Sequence, residues 1–71
     1  MARRSAAYRL SLRRLREARL AVGLTQVEVA AKLRRSQSTV CKCESGEQKV
    51  DVVELAGFAR LYGRNLGDLL E

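Results

Sequence analysis

The sequence predicts an all-α fold, a compact bundle of five short helices. Three observations support this: every strong hydrophobic periodicity is helical, no segment alternates with period two, and the chain contains no proline that would kink a helix. With 71 residues the chain has room for one small domain. We expect a basic, partly disordered N-terminal arm over residues 1–6 and a single domain over residues 7–71.

The first two helices are delimited by capping signals. The first is predicted to run from its N-cap, Ser5, to Val22, and Gly23 ends it because glycine tolerates positive φ. Thr25 begins the second helix, and Glu28 completes a Thr-x-x-Glu capping box. The predicted inner faces are Leu12, Leu15, Ala18, Arg19 and Val22 in the first helix, and Val29, Ala30 and Leu33 in the second.

The last three helices begin at short polar residues that cap a helix well. Ser36 caps a third helix over residues 37–45, Asp51 caps a fourth that reaches Tyr62, and Asn65 caps a short fifth. The predicted inner face of the fourth helix is Val52, Leu55, Phe58, Ala59 and Tyr62, and the fifth helix carries Leu66, Leu69 and Leu70.

Charge favours a polyanionic partner. The chain carries a net charge of +6, and residues 1–24 hold seven basic residues against one acidic residue. Nucleic acid is the natural partner of such a surface. The sequence provides little for catalysis or cofactors: it has no histidine, and its two cysteines, Cys41 and Cys43, are too few to build a zinc site. We therefore expect no catalytic residue, no metal and no cofactor.

No apolar run approaches the roughly 18 residues of a membrane span, and the sequence shows no apolar h-region typical of a signal peptide. We therefore expect a cytoplasmic protein without a membrane partner.

The most informative stretch is the pair of helices between Thr25 and Glu44. Two short helices joined by three or four residues cross at a steep angle, so the second presents one face outward, as the DNA major groove requires. At 100° per residue that face is polar and carries a single charge, on Lys42. Gln suits adenine, Lys suits guanine and Ser is permissive. The outward residues are Gln37, Ser38, Cys41, Lys42 and Ser45.

These residues carry a family resemblance. The runs Gly23-Leu-Thr-Gln-x-x-x-Ala30, Ser36-Gln-Ser-Thr-Val-x-Lys42 and Glu44-x-Gly46-Glu47 resemble the Cro and phage-repressor (XRE-type) helix-turn-helix transcriptional regulators. The resemblance extends from about Leu12 to Leu70. It implies a lambda-repressor-like bundle of five helices, with the helix-turn-helix unit at about residues 25–45, that binds DNA, usually as a homodimer on a palindromic operator.

The resemblance also implies roles for individual residues. Gln37, Ser38 and Lys42 match base-reading positions, and Arg19 and Glu44 match a buried salt bridge that joins the first helix to the third. We expect contacts with the DNA backbone from Gln26, Arg35, Thr39, Gln48 and Lys49.

Four positions depart from the family pattern. Arg64 stands where an apolar residue is usual, and Cys43 fills a core position that Trp or Ile often holds. Arg34 stands where the family favours glycine, at a position that often needs positive φ and costs another residue on the order of 1 kcal/mol. Val50 replaces a frequent proline, which predicts a looser start of the fourth helix. Of the two cysteines, we expect Cys43 in the core and Cys41 exposed, with a redox switch at Cys41 as a minor alternative.

The apolar residues at the C-terminal end exceed what a short last helix can bury. We therefore expect a core and dimerisation patch formed by Tyr62, Leu66, Leu69 and Leu70.

Together these features predict a sequence-specific double-stranded DNA-binding regulator, most simply a repressor. Two alternatives stay open. The chain is a DNA-binding antitoxin with a toxin as its partner, or it is an adaptor that uses the same fold to bind a protein without reading DNA.

Overall fold

The computed structural model of the protein describes residues 6–70, which form five α-helices. Their bounds are α1 (Ala6–Ala21), α2 (Gln26–Leu33), α3 (Gln37–Ser45), α4 (Val52–Leu61) and α5 (Leu66–Leu70). The predicted all-α fold is confirmed. The predicted cap Ser5 and residues 1–5 of the predicted arm lie outside the described residues, and α1 already includes Ala6.

Local hydrogen bonds explain where the helices begin. Thr25 Oγ1 accepts the backbone N–H of Glu28 at 3.1 Å, and Glu28 Oε1 accepts that of Thr25 at 2.8 Å, so the predicted capping box is confirmed. Hydrogen bonding of its carboxylate to the backbone and the side chain of Thr25 lowers the pKa of Glu28. Ser36 caps α3 as predicted, and Asp51 caps α4 in a second capping box that the sequence analysis had not identified.

Helix α1 is the centre of the bundle. It packs against α3, α4 and α5, while α2 packs against α3. Two predicted inward positions are wrong: Val22 and Val52 are 46% and 64% exposed, because each lies at a helix end where no neighbouring helix covers it. The buried apolar core consists of Leu12, Leu15, Ala18, Val29, Ala30, Val40, Cys43, Val50, Leu55, Phe58, Ala59, Tyr62 and Leu69.

The start of α4 is tied to α1. Val50 is 5% exposed, and its backbone N–H donates to the hydroxyl oxygen of Tyr8 at 3.0 Å. The expectation that Val50 loosens this segment is therefore wrong. A proline would lack the N–H that makes this bond.

Helices α1, α2 and α4 end in the same way, on a residue in the left-handed conformation. That residue is Gly23 after α1 (φ 76°), Gly63 after α4 (φ 71°) and Arg34 after α2 (φ 56°). In each case the next backbone N–H donates to the carbonyl five residues earlier, at 2.8–3.2 Å. Arg34 thus adopts the positive φ that the family resemblance implied for this position. The turn it forms sets the position of α3 relative to α2.

Candidate nucleic-acid interface

Helix α3 is buried on one side and polar on the other. Val40 and Cys43 are 0% and 1% exposed and anchor the helix in the core. The side chains predicted to face outward are all exposed: Gln37, Ser38, Cys41, Lys42 and Ser45. The helix therefore presents an edge that can donate and accept hydrogen bonds, held in place from beneath.

A shallow depression brings the first residue of α2 beside this edge. It is lined by Gln26, Gln37, Ser38, Cys41, Lys42 and Glu47. The structure thus places the three predicted base-reading residues and one predicted backbone contact on one surface. Their amide, hydroxyl and ammonium groups suit base edges and phosphate oxygens.

The ion pair expected between α1 and α3 is present. Arg19 Nε donates to Glu44 Oε2 at 2.6 Å and Nη2 to Oε1 at 3.2 Å, while Nη1 donates to the Leu24 carbonyl at 2.8 Å. The two charged side chains are only 8% and 4% exposed. Hydrogen bonding to Glu44 raises the pKa of Arg19. The pair fixes the C-terminal half of α3 against α1.

Glu44 has a third partner that the sequence analysis missed. Gln26 Nε2 donates to Glu44 Oε1 at 3.1 Å. The amide keeps a second N–H and its carbonyl oxygen for a ligand. Because these residues are 18 positions apart, no local spacing rule could have paired them. The network Arg19–Glu44–Gln26 joins α1, α2 and α3, and it orients Gln26 beside the outward edge of α3.

The other predicted backbone contacts are more dispersed. Arg35 and Thr39 line a separate groove beside Val53 and Phe58, and Arg35 Nη1 lies 3.7 Å from Glu54 Oε2. Gln48 and Lys49 follow α3. The backbone N–H of Gln48 donates to the Lys42 carbonyl at 3.2 Å, and Lys49 is exposed. Thr39 thus lies within α3 and the other three residues flank it, and none of the four lines the central depression.

Arg16 of α1 is a further residue that the sequence analysis did not assign to the site. It is exposed and lines a cleft with Arg19, Gln26, Glu44 and two residues of the outward edge of α3, Cys41 and Ser45. Its position three residues before Arg19 was the available signal, because residues three apart share neighbouring faces of a helix.

The residues of the predicted C-terminal core and dimerisation patch are divided between the core and the surface. Tyr62 and Leu69 are each 1% exposed, Leu66 is half-buried, and only Leu70 is exposed, at 54%. Tyr62, which follows α4, and Leu69 of α5 thus belong to the core, as the core part of the prediction has it. The dimerisation part stays a prediction. Burial and the nearby charge of Glu44 raise the pKa of Tyr62, whose hydroxyl has no hydrogen-bond partner among the described residues.

The two cysteines are placed as predicted. Cys41 is exposed on α3 and Cys43 is buried, and burial raises the pKa of the Cys43 thiol. Their side chains point to opposite sides of the helix, so they do not form one site.

Within residues 6–70, no helix has the length and apolar character to cross a bilayer, and no group of three His, Cys, Asp or Glu side chains is placed to hold a metal ion.

Comparison with known proteins identifies the family. Neither the curated proteins nor the solved structures gave a match. A family model described as a helix-turn-helix domain matches residues 8–71, nearly the whole chain. The protein therefore belongs to the helix-turn-helix domain family.

Proposed function

We propose that this protein is a sequence-specific transcriptional regulator of the Cro and phage-repressor (XRE) type, which represses by occupying a palindromic operator as a homodimer. The observation that carries the proposal is the exposed polar edge of α3. Val40 and Cys43 anchor the helix beneath that edge, and Glu44 ties it to α1. The DNA major groove admits a helix presented in this way.

Gln37, Ser38 and Lys42 are assigned to base reading. The Gln37 amide can pair with adenine, and the Lys42 ammonium group can donate to the guanine acceptors. Gln26 is assigned to a phosphate at the N-terminus of α2, where the helix dipole also favours an anion. The remaining phosphate contacts are assigned to Thr39 of α3 and to three residues that flank this helix, Arg35, Gln48 and Lys49.

Motif selection from random duplexes, followed by a stoichiometry measurement on the selected duplex, tests the function. We expect one enriched palindromic motif and two protein chains per duplex. An unenriched pool would contradict DNA reading and favour the adaptor alternative. One chain per duplex would contradict the homodimer.

Two substitutions separate the proposed roles. Gln37→Ala is expected to cost about 1–3 kcal/mol of binding free energy and to relax specificity at one base pair. Lys49→Ala is expected to lower the affinity for all DNA sequences alike. It should also reduce the slope of log affinity against log salt concentration by about one. Arg60→Ala is the control, because it removes one exposed charge from the last turn of α4. If Gln37→Ala leaves both affinity and specificity unchanged, the assignment of α3 is wrong.

A further inference from the structure

Helix α1 carries three arginines on one exposed face. Arg9, Arg13 and Arg16 are spaced by four and three residues, which places them within about 60° of arc on the helix. All three are exposed, whereas Leu12 and Leu15, whose mean direction lies about 100° around the helix from that of the arginines, belong to the core. We refer to Arg9, Arg13 and Arg16 as the α1 stripe.

The charge of the α1 stripe is not neutralised within residues 6–70. The ion pairs found there join Arg19 to Glu44 and Arg35 to Glu54. The one acidic residue of α1, Glu17, lines a different cleft, with Arg64 and Asp68 of the C-terminal end. The stripe therefore presents three positive charges to solvent.

One end of the α1 stripe meets the proposed DNA surface. Arg16 lines the same cleft as Gln26, the proposed phosphate contact of α2, and as Cys41 and Ser45 of α3. Arg9 lies seven residues further from this cleft, which is about 10 Å along the helix axis. The stripe thus extends the positive surface continuously away from the helix-turn-helix unit.

We propose that the α1 stripe is a second phosphate-binding track, which binds the sugar-phosphate backbone of DNA flanking the sequence that α3 reads. Arg16 contacts a phosphate next to the one bound by Gln26, and Arg13 and Arg9 follow the backbone outward. This inference rests on the proposed function. It predicts affinity without sequence preference, because phosphate contacts position a protein and base contacts specify the sequence.

The test measures equilibrium binding of the full chain to the selected operator and to an unrelated duplex, from 50 to 200 mM salt. Arg16→Ala is expected to lower the affinity for both duplexes alike. It should also reduce the slope of log affinity against log salt concentration by about 0.9. The ratio of wild-type to variant affinity should therefore fall about three- to fourfold between 50 and 200 mM salt. Arg16→Lys keeps the charge and should keep the slope. Arg60→Ala, the charge-matched control, should change neither.

Duplex length provides a second readout. The double variant Arg9→Ala/Arg13→Ala should lose affinity on a duplex with long flanks. When the flanks are trimmed to the selected motif, the double variant should bind as tightly as wild type. The phosphates that Arg9 and Arg13 contact in the wild-type complex are then absent.

If Arg16→Ala behaves like Arg60→Ala, or if trimming makes no difference to the double variant, the inference is overturned while the function stands. If wild type binds neither duplex, the proposed function fails and this inference fails with it.

Discussion

The buried ion pair between Arg19 and Glu44 allows the sharpest test of how α3 is held. Replacing Arg19 by Met keeps much of the side-chain volume and removes the charge. The Glu44 side chain, only 4% exposed, would then retain a single neutral donor, Gln26 Nε2 at 3.1 Å. Removing one partner of a buried pair typically costs about 3–5 kcal/mol. We therefore expect Arg19→Met to lower the free energy of unfolding by that amount.

This loss is large for so short a chain. Natural domains have about 0.05–0.15 kcal/mol of stability per residue, so a domain of 71 residues has roughly 4–11 kcal/mol in total. Urea unfolding followed by circular dichroism measures the change, and the midpoint should fall while the slope stays constant. A loss below about 1 kcal/mol would refute the reasoning, because it is typical of an ion pair exposed to solvent.

The double variant Arg19→Met/Glu44→Leu is the matched control. It leaves no buried charge behind, so we expect it to recover most of the lost stability. Operator affinity should not recover with it, since Gln26 loses the acceptor that orients it. If the double variant is as unstable as Arg19→Met, the cost comes from packing and not from an unpaired charge.

Three further predictions concern single side chains. Arg34→Gly should raise the free energy of unfolding by about 1 kcal/mol because it relieves the positive φ of 56°, and unchanged urea unfolding would contradict this strain. Tyr62→Phe should also stabilise, by about 1 kcal/mol, because it removes a buried hydroxyl without a partner. The pKa of Tyr62 is raised above its ordinary value of 10.0, so the free energy of unfolding of wild type should fall as the pH rises beyond 10. It should fall more steeply than that of Tyr62→Phe. Parallel profiles of unfolding free energy against pH would contradict this. A thiol reagent should label Cys41 alone in the native protein and Cys43 only after unfolding, so rapid labelling of both would show that Cys43 is accessible.

Helix existence and helix ends were predictable because their causes are local. The hydrogen bonds at Thr25, Ser36 and Asp51 each link residues three apart, and the outward edge of α3 follows from 100° per residue. The positive φ of Arg34 was expected from the family resemblance instead, because the family favours glycine at this position.

Periodicity failed where it had to specify which neighbour covers a residue. It assigned Val22 and Val52 inward positions, but no helix covers those ends. It placed Tyr62 correctly on the inner face of the fourth helix, where this residue is 1% exposed.

The sequence by itself determined five helices, their caps and the polar edge that α3 carries. Only the tertiary structure decided how that edge is oriented, because the contacts responsible join distant positions. Glu44 meets Gln26 across 18 residues and Arg19 across 25, and Tyr8 meets Val50 across 42. The helical repeat specifies the direction in which a side chain points around the axis of its own helix. The partner it meets there depends on how the helices cross, and that is set by the packing of the whole core.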